Sequence, residues 1–249
     1  MKIKGLIFDF GFTLFFFRDV SMDKYMNCYK QGLNKSLEKL KDLNILTEDA
    51  LKDDFKKTFN KKKAKYFKES IKTKQEYNTS LIFKETLEKH DLKDLDSQIF
   101  DELANLYHSF EGDEWIPFEH TKQTLEKLKY VKKIKLAVLS NHSHHATIEN
   151  LLTKHDLRKY FDAVVTSAEY GKRKPDPSII FYTIKKMGLK SPDDCMICGD
   201  EYADISGGNR AGLKAILCHR TFKFPFEKEI INLEHIKINN ISEIINLID

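Results

Sequence analysis

Gly5-Leu6-Ile7-Phe8-Asp9-Phe10-Gly11-Phe12-Thr13-Leu14 is the stretch from which the fold is read. Large apolar side chains crowd its first half, the composition of a buried strand, and a carboxylate closes that half. An Asp at the carboxyl end of a buried strand stands where open α/β sheets carry their chemistry. Asp also caps turns and helices, so Asp9 by itself decides nothing.

Three more places extend the pattern. Ile134-Lys135-Leu136-Ala137-Val138-Leu139 is an apolar run ending in Ser140-Asn141, a hydroxyl followed by an amide. Lys174-Pro175-Asp176-Pro177 locks a lysine into a turn with the two prolines that follow it. Met196-Ile197-Cys198-Gly199 ends in Asp200, with Asp204 four residues on. Each has a plain structural reading: Ser140-Asn141 as the cap of a helix suggested by Ala146 to Leu152, Lys174 as a solvated turn residue.

Together, in this order, the four stretches resemble the motifs of the haloacid dehalogenase superfamily of hydrolases, at both ends of the chain. The resemblance implies an α/β fold: a doubly wound, Rossmann-like parallel sheet with an all-helical cap inserted between the first two motifs. It also implies chemistry. Asp9 would be the nucleophile that takes up a phosphoryl group, needing no activating base because a carboxylate is ionised at neutral pH. Ser140 would hydrogen-bond a phosphoryl oxygen, with Asn141 beside it in the substrate-binding set, and Lys174 would offset charge on the phosphoryl group and on Asp9. Asp9, the Gly11 carbonyl, Asp200 and Asp204 would hold Mg²⁺, a hard cation that takes oxygen ligands.

One departure stands out. Family phosphatases usually carry an Asp two residues after the nucleophile as general acid and base, and a Gly after it; here these are Gly11 and Phe12. Gly11 keeps the carbonyl and loses the carboxylate, so metal binding is expected to survive while poor leaving groups slow by ~10²- to 10⁴-fold. His142, Asp19 and Glu201 are the candidates to replace that acid, although the run His142, His144, His145 also reads as a solvated helix start. The expected function is a Mg²⁺-dependent phosphatase acting on a small phosphorylated metabolite. A haloacid dehalogenase would not need both Asp200 and Asp204, and the Tyr-Gly pair usual after its nucleophile is missing. A scaffold that binds without catalysis is the third alternative.

The rest of the chain bounds the reading. Its 249 residues, 41% hydrophobic and 32% charged, suit a soluble protein with a sizeable core. The apolar stretch from Leu6 to Phe17 is broken by Asp9 and is too short to span a bilayer, so no leader or membrane partner is expected and a cytoplasmic location is. Cys28, Cys195, Cys198 and Cys218 read as core thiols; Cys195 and Cys198, three apart on a strand, face opposite sides. No proline precedes Pro117 and no glycine lies between Gly32 and Gly112. This stretch reads as helices, with three- and four-residue apolar steps in Tyr25 to Leu43 (Leu33, Leu37, Leu40, Leu43) and in Leu81 to Lys89. The domains are therefore expected at 1–19 with 112–249 for the core and 20–111 for the cap, with hinges near Arg18 and Gly112. Lys56, Lys57, Lys61, Lys62, Lys63, Lys65 and Lys68 read as a solvated helix face, with acidic residues interspersed, so no nucleic-acid partner is expected. Phe59, Tyr66 and Phe67 read as core.

Overall fold

The computed structural model of the chain describes residues 3–92, 94–225 and 227–248. It divides into two compact units, Met1–Arg18 with Trp115–Asp249, and Asp19–Glu114.

The first unit is the α/β core. Its strands are β1 (Gly5–Phe8), β2 (Phe15–Phe17), β3 (Trp115–Pro117), β4 (Lys135–Ser140), β5 (Ala163–Thr166), β6 (Cys195–Gly199), β7 (Lys214–Cys218) and β8 (Ile236–Ile238). Six of them form one sheet in the order β5-β4-β1-β6-β7-β8, and every pairing in it is parallel. This is the parallel α/β architecture expected from strands alternating with helices. The three central strands are apolar because helices cover both faces of a parallel sheet. Ile7, Leu139 and Ile197 are fully buried with Ile179, Ile180 and Ile205 from the covering helices. Register brings the chemistry together. Phe8 pairs with Val138 on one side and Cys198 on the other, so Asp9, Ser140 and Asp200 emerge at the carboxyl ends of three adjacent strands.

The first apolar run is not one strand up to Phe17. The β1 strand stops at Phe8, and the chain turns back through Phe10 to Leu14, with the Leu14 and Phe15 amides both donating to the Phe10 carbonyl at 3.0 and 3.1 Å. Phe15–Phe17 then pairs antiparallel with Trp115–Pro117. Phe12 sits at the reversal with φ +56°, a left-handed conformation that costs a bulky residue about 1–2 kcal/mol.

The second unit is helical: α1 (Met22–Asp42), α2 (Asp49–Thr73), α3 (Thr79–Lys89) and α4 (Ser97–His108). Side chains of Ser21, Asn78 and Asp96 accept amide hydrogen bonds at the starts of α1, α3 and α4. Leu33, Leu37, Leu40, Phe55, Phe59, Phe83, Leu103 and Tyr107 build its core. Leu43 does not join the stripe: α1 ends at Asp42 and Leu43, its C-cap, is 44% exposed. Phe67 is likewise exposed, because the buried face of α2 runs through Phe55 and Phe59 and Phe67 falls off it. Lys62 pairs with Glu85 as a solvated face would, but Lys63 turns inward. Its ammonium donates to the Tyr107 hydroxyl at 2.6 Å and lies 4.1 Å from the centre of the Tyr29 ring, and burial lowers it to about 8. Buried His108 bridges Thr79 Oγ1 and Glu111, whose other oxygen accepts from Tyr29.

The four cysteines are free and buried. Among the described residues no helix is long and apolar enough to cross a membrane.

Glycine permits a close helix contact in the second unit. A Cβ on Gly32 would stand 1.9 Å from the Tyr107 carbonyl oxygen, so α1 and α4 approach at backbone distance. Gly32→Ala is expected to destabilise the chain by roughly 1–3 kcal/mol, the range for overpacking, as a lower urea midpoint; an unchanged midpoint would contradict this contact.

Candidate active site

Lys174 organises the strand ends. Its backbone is held by Asn141, whose Oδ1 accepts from the Lys174 amide at 2.8 Å and whose Nδ2 donates to the Lys174 carbonyl at 3.1 Å. The next turn is closed by Asp176, which caps α5 (Pro177–Lys186) with Pro177 in its first turn. The Lys174 ammonium, 2% exposed as a residue, donates to Asp9 Oδ1 at 2.5 Å, Asp204 Oδ1 at 2.6 Å and the Leu139 carbonyl at 2.8 Å. All three of its protons are used.

The acidic side is equally built. Asp204 lies in the first turn of α6 (Tyr202–Arg210), where its Oδ2 accepts from the Glu201 amide at 3.2 Å and Glu201 caps the helix in return. Gly199 makes room for it: a Cβ there would stand 2.1 Å from Asp204 Cγ. Asp200 is spanned by two donors, Thr13 Oγ1 on Oδ1 at 3.0 Å and Arg220 Nη1 on Oδ2 at 2.5 Å. Asp9, Asp200 and Asp204 each offer an oxygen within 4.8 Å of the others.

Charge is crowded here. Burial pushes the Asp9 carboxyl up, Lys174 pulls it down and Asp204 pushes it up again, leaving it at about 7. Burial and the Asp9 charge hold Asp200 well above the ordinary carboxylate range against the pull of Arg220. Burial and Asp204 raise Glu201. Burial pulls Lys174 down, but Asp204 and Asp9 outweigh it and keep the ammonium charged. Buried carboxylates that repel one another at a strand end suit a divalent cation, which takes oxygen ligands and removes the repulsion.

Several expected residues are thus gathered: Lys174 bonds Asp9 and Asp204 directly, Asp200 stands beside them with its own donors, and Ser140 ends the neighbouring strand. Asn141 spends its side chain on the Lys174 backbone, which makes it an orienting group. The substitute acids are otherwise engaged. His142 Nδ1 faces its own loop, 2.8 Å from the His144 carbonyl; Glu201 is the helix cap; Asp19, 86% exposed, belongs to the helical unit with Lys24 3.9 Å away. Thr13 and Arg220 were not singled out from sequence. A threonine within the phenylalanines of the first run was a visible signal for Thr13, whereas an arginine after the β7 strand carries no local one.

The space beside Gly11 is taken by tryptophan. A Cβ on Gly11 would lie 2.9 Å from Cη2 of Trp115, whose ring meets those of Phe12 and Phe10 edge to face at 5.4 and 5.8 Å.

A fully parallel sheet with an acidic cluster and a buried lysine at its carboxyl edge defines a Rossmann-like α/β protein with its chemistry at the strand ends, and the comparisons specify it. The chain belongs to the haloacid dehalogenase-like hydrolases, whose family profile matches residues 42–218. It is 38% identical over 101 residues to a phosphoglycolate phosphatase of Aquifex aeolicus, covering 41% of this chain and 46% of that protein. A glyceraldehyde 3-phosphate phosphatase of Methanocaldococcus jannaschii is 25% identical over 99% of this chain and 97% of its own. The chain spans less than half the length of the first curated relatives it matches. In fold it is similar to the crystal structure of a 2-haloacid dehalogenase from Pseudomonas syringae, at a TM-score of 0.65 and 20% identity, covering 98% of this chain and 97% of that one.

Two predictions follow from this geometry. Because Asp9 holds its proton up to about 7 in the folded chain against 3.8 ordinarily, the native state binds more protons between those values than the unfolded chain. Stability of the cation-free protein should therefore fall as pH rises from about 4 to 7. Asp9→Asn should flatten that fall and millimolar Mg²⁺ oppose it, both read by urea unfolding at pH 5 and 7.5; a rise in stability across the window would contradict the charge balance. Restoring the acid by Gly11→Asp should displace Trp115 and lower the melting temperature, and pairing it with Trp115→Leu should recover part of that loss. Equal melting temperatures for native protein and single variant would contradict the contact.

Proposed function

We propose that the chain is a Mg²⁺-dependent phosphatase that hydrolyses a small phosphomonoester through an aspartyl-phosphate on Asp9. The observation that carries this reading is the single lysine shared by Asp9 and Asp204, with Asp200 completing the acidic set. Among the described residues no donor lies within hydrogen-bond distance of Asp9 Oδ2, and that oxygen is the attacking atom. It forms a bond to phosphorus as the ester oxygen departs with the bonding pair; water then attacks phosphorus, releasing phosphate and restoring the carboxylate.

Lys174 keeps its proton throughout, because two carboxylates hold it, and lowers the charge that the approaching dianion meets. Asn141 fixes its position. Ser140, at the end of β4, is assigned the hydrogen bond to a phosphoryl oxygen. A bound Mg²⁺, held by Asp9, Asp200, Asp204 and the Gly11 carbonyl, would supply further positive charge to the phosphoryl oxygens. The cytoplasmic location expected from sequence is retained, with a small phosphorylated metabolite as partner.

With Trp115 filling the place of the usual acid, leaving groups that need no proton are favoured. Turnover is therefore expected to be ~10²-fold or more faster for aryl or acyl phosphates than for alkyl ones. Asp9→Asn should keep its circular dichroism and lose p-nitrophenyl phosphate turnover by ~10³-fold or more, since an amide forms no acyl-phosphate. Substantial Asp9→Asn activity, or halide release from a 2-haloacid without metal, would overturn the assignment.

A further inference from the structure

Arg220 is a cation that this chemistry does not call for. It follows the β7 strand, its side chain is 6% exposed, and one guanidinium nitrogen meets Asp200 Oδ2 at 2.5 Å while the other pairs with Glu227. The guanidinium stands 5.4 Å from the centre of the Phe12 ring, in the group that Phe12 forms with Phe222 and Phe224 at 6.1 and 6.0 Å. Glu227 is anchored in turn by the Phe224 amide, which donates to its Oε1 at 2.8 Å. Arg220 therefore reaches Asp200 from a braced position. Its Nε is buried with no hydrogen-bond partner among the described residues, so its hydrogen bonds run to the two carboxylates.

The two contacts on Asp200 differ in kind. On Oδ1 the donor is the neutral Thr13 hydroxyl; on Oδ2 it is a full positive charge. A carboxylate that a guanidinium already neutralises has little left for a divalent ion. Placed on either oxygen, that ion would stand within a few ångströms of the guanidinium, in a site too buried for water to screen the repulsion.

We propose that Arg220 is the resident counter-ion of Asp200 and antagonises the divalent cation, so that the ion is admitted as the Arg220–Asp200 pair opens and the guanidinium falls back on Glu227. This rests on the reading of Asp9, Asp200 and Asp204 as a cation site. Arg220 acts through Asp200 and is a positioning residue. In the cation-free protein it offsets the charge of Asp200 beside Asp9 and Asp204, and the cation affinity is reduced as a result.

The test uses the full chain and Mg²⁺ alone. Calorimetric titration of Arg220→Met should give a dissociation constant about ten- to a hundredfold tighter than that of the native chain, the equivalent of one charge-assisted hydrogen bond no longer broken on binding. In the native chain, the guanidinium ¹⁵N resonances of Arg220, assigned by their loss in Arg220→Lys, should pass from hindered to fast rotation as Mg²⁺ is added. That second reading stands whether or not the methionine variant folds. Weaker or unchanged binding in Arg220→Met, or Mg²⁺ binding that leaves the native Arg220 resonances unmoved, would overturn the proposal and leave the cation site standing. Absence of any binding that Asp200→Asn removes would overturn both.

Discussion

One ammonium carries the arrangement. The carboxyl ends of β1 and β6 bring Asp9, Asp200 and Asp204 close enough to share an ion, and like charges buried at that distance oppose the fold that gathers them. Lys174 meets this by giving its three protons to Asp9, Asp204 and the Leu139 carbonyl. The bonds run to three parts of the core, so the lysine joins the end of β1, β4 and α6 while offsetting the charge of Asp9 and Asp204. Asn141 supports it from the backbone side. What remains of the acidic charge falls to Arg220.

The aromatic wall around Gly11 is the second constraint. Trp115 occupies the volume that a side chain at Gly11 would need, and Phe12 holds a conformation suited to glycine. Burial offsets that strain: Phe12 is 8% exposed and packed among aromatic rings. Gly11 and Phe12 thus form one packed unit with Trp115.

Much of this was legible in the chain itself. The apolar runs ending in Asp9, Ser140 and Asp200 marked adjacent strand ends because a parallel sheet buried on both faces leaves a strong local signal. Helices were legible by period, less so their ends: Leu43 has the right spacing but lies beyond the last turn of α1. Inward Lys63 was missed because its partners, Tyr29 and Tyr107, are far away in sequence. The same holds for Arg220 and for the tryptophan opposite Gly11. Contacts across long sequence separations carry no periodicity, and a motif names a residue without naming what packs on it.

A likeness in fold to a 2-haloacid dehalogenase sits beside relatives named as phosphatases, so the fold leaves the reaction open and the chemistry of Asp9 decides it. The most direct measurement is chemical trapping during turnover. Borohydride added to the native chain as it consumes p-nitrophenyl phosphate with Mg²⁺ reduces an acyl-phosphate to the alcohol. Mass spectrometry of the peptide bearing Asp9 should then find homoserine at that position, and find aspartate when substrate is omitted. An unmodified Asp9 under steady turnover, or reduction at another carboxylate, would contradict Asp9 as the nucleophile.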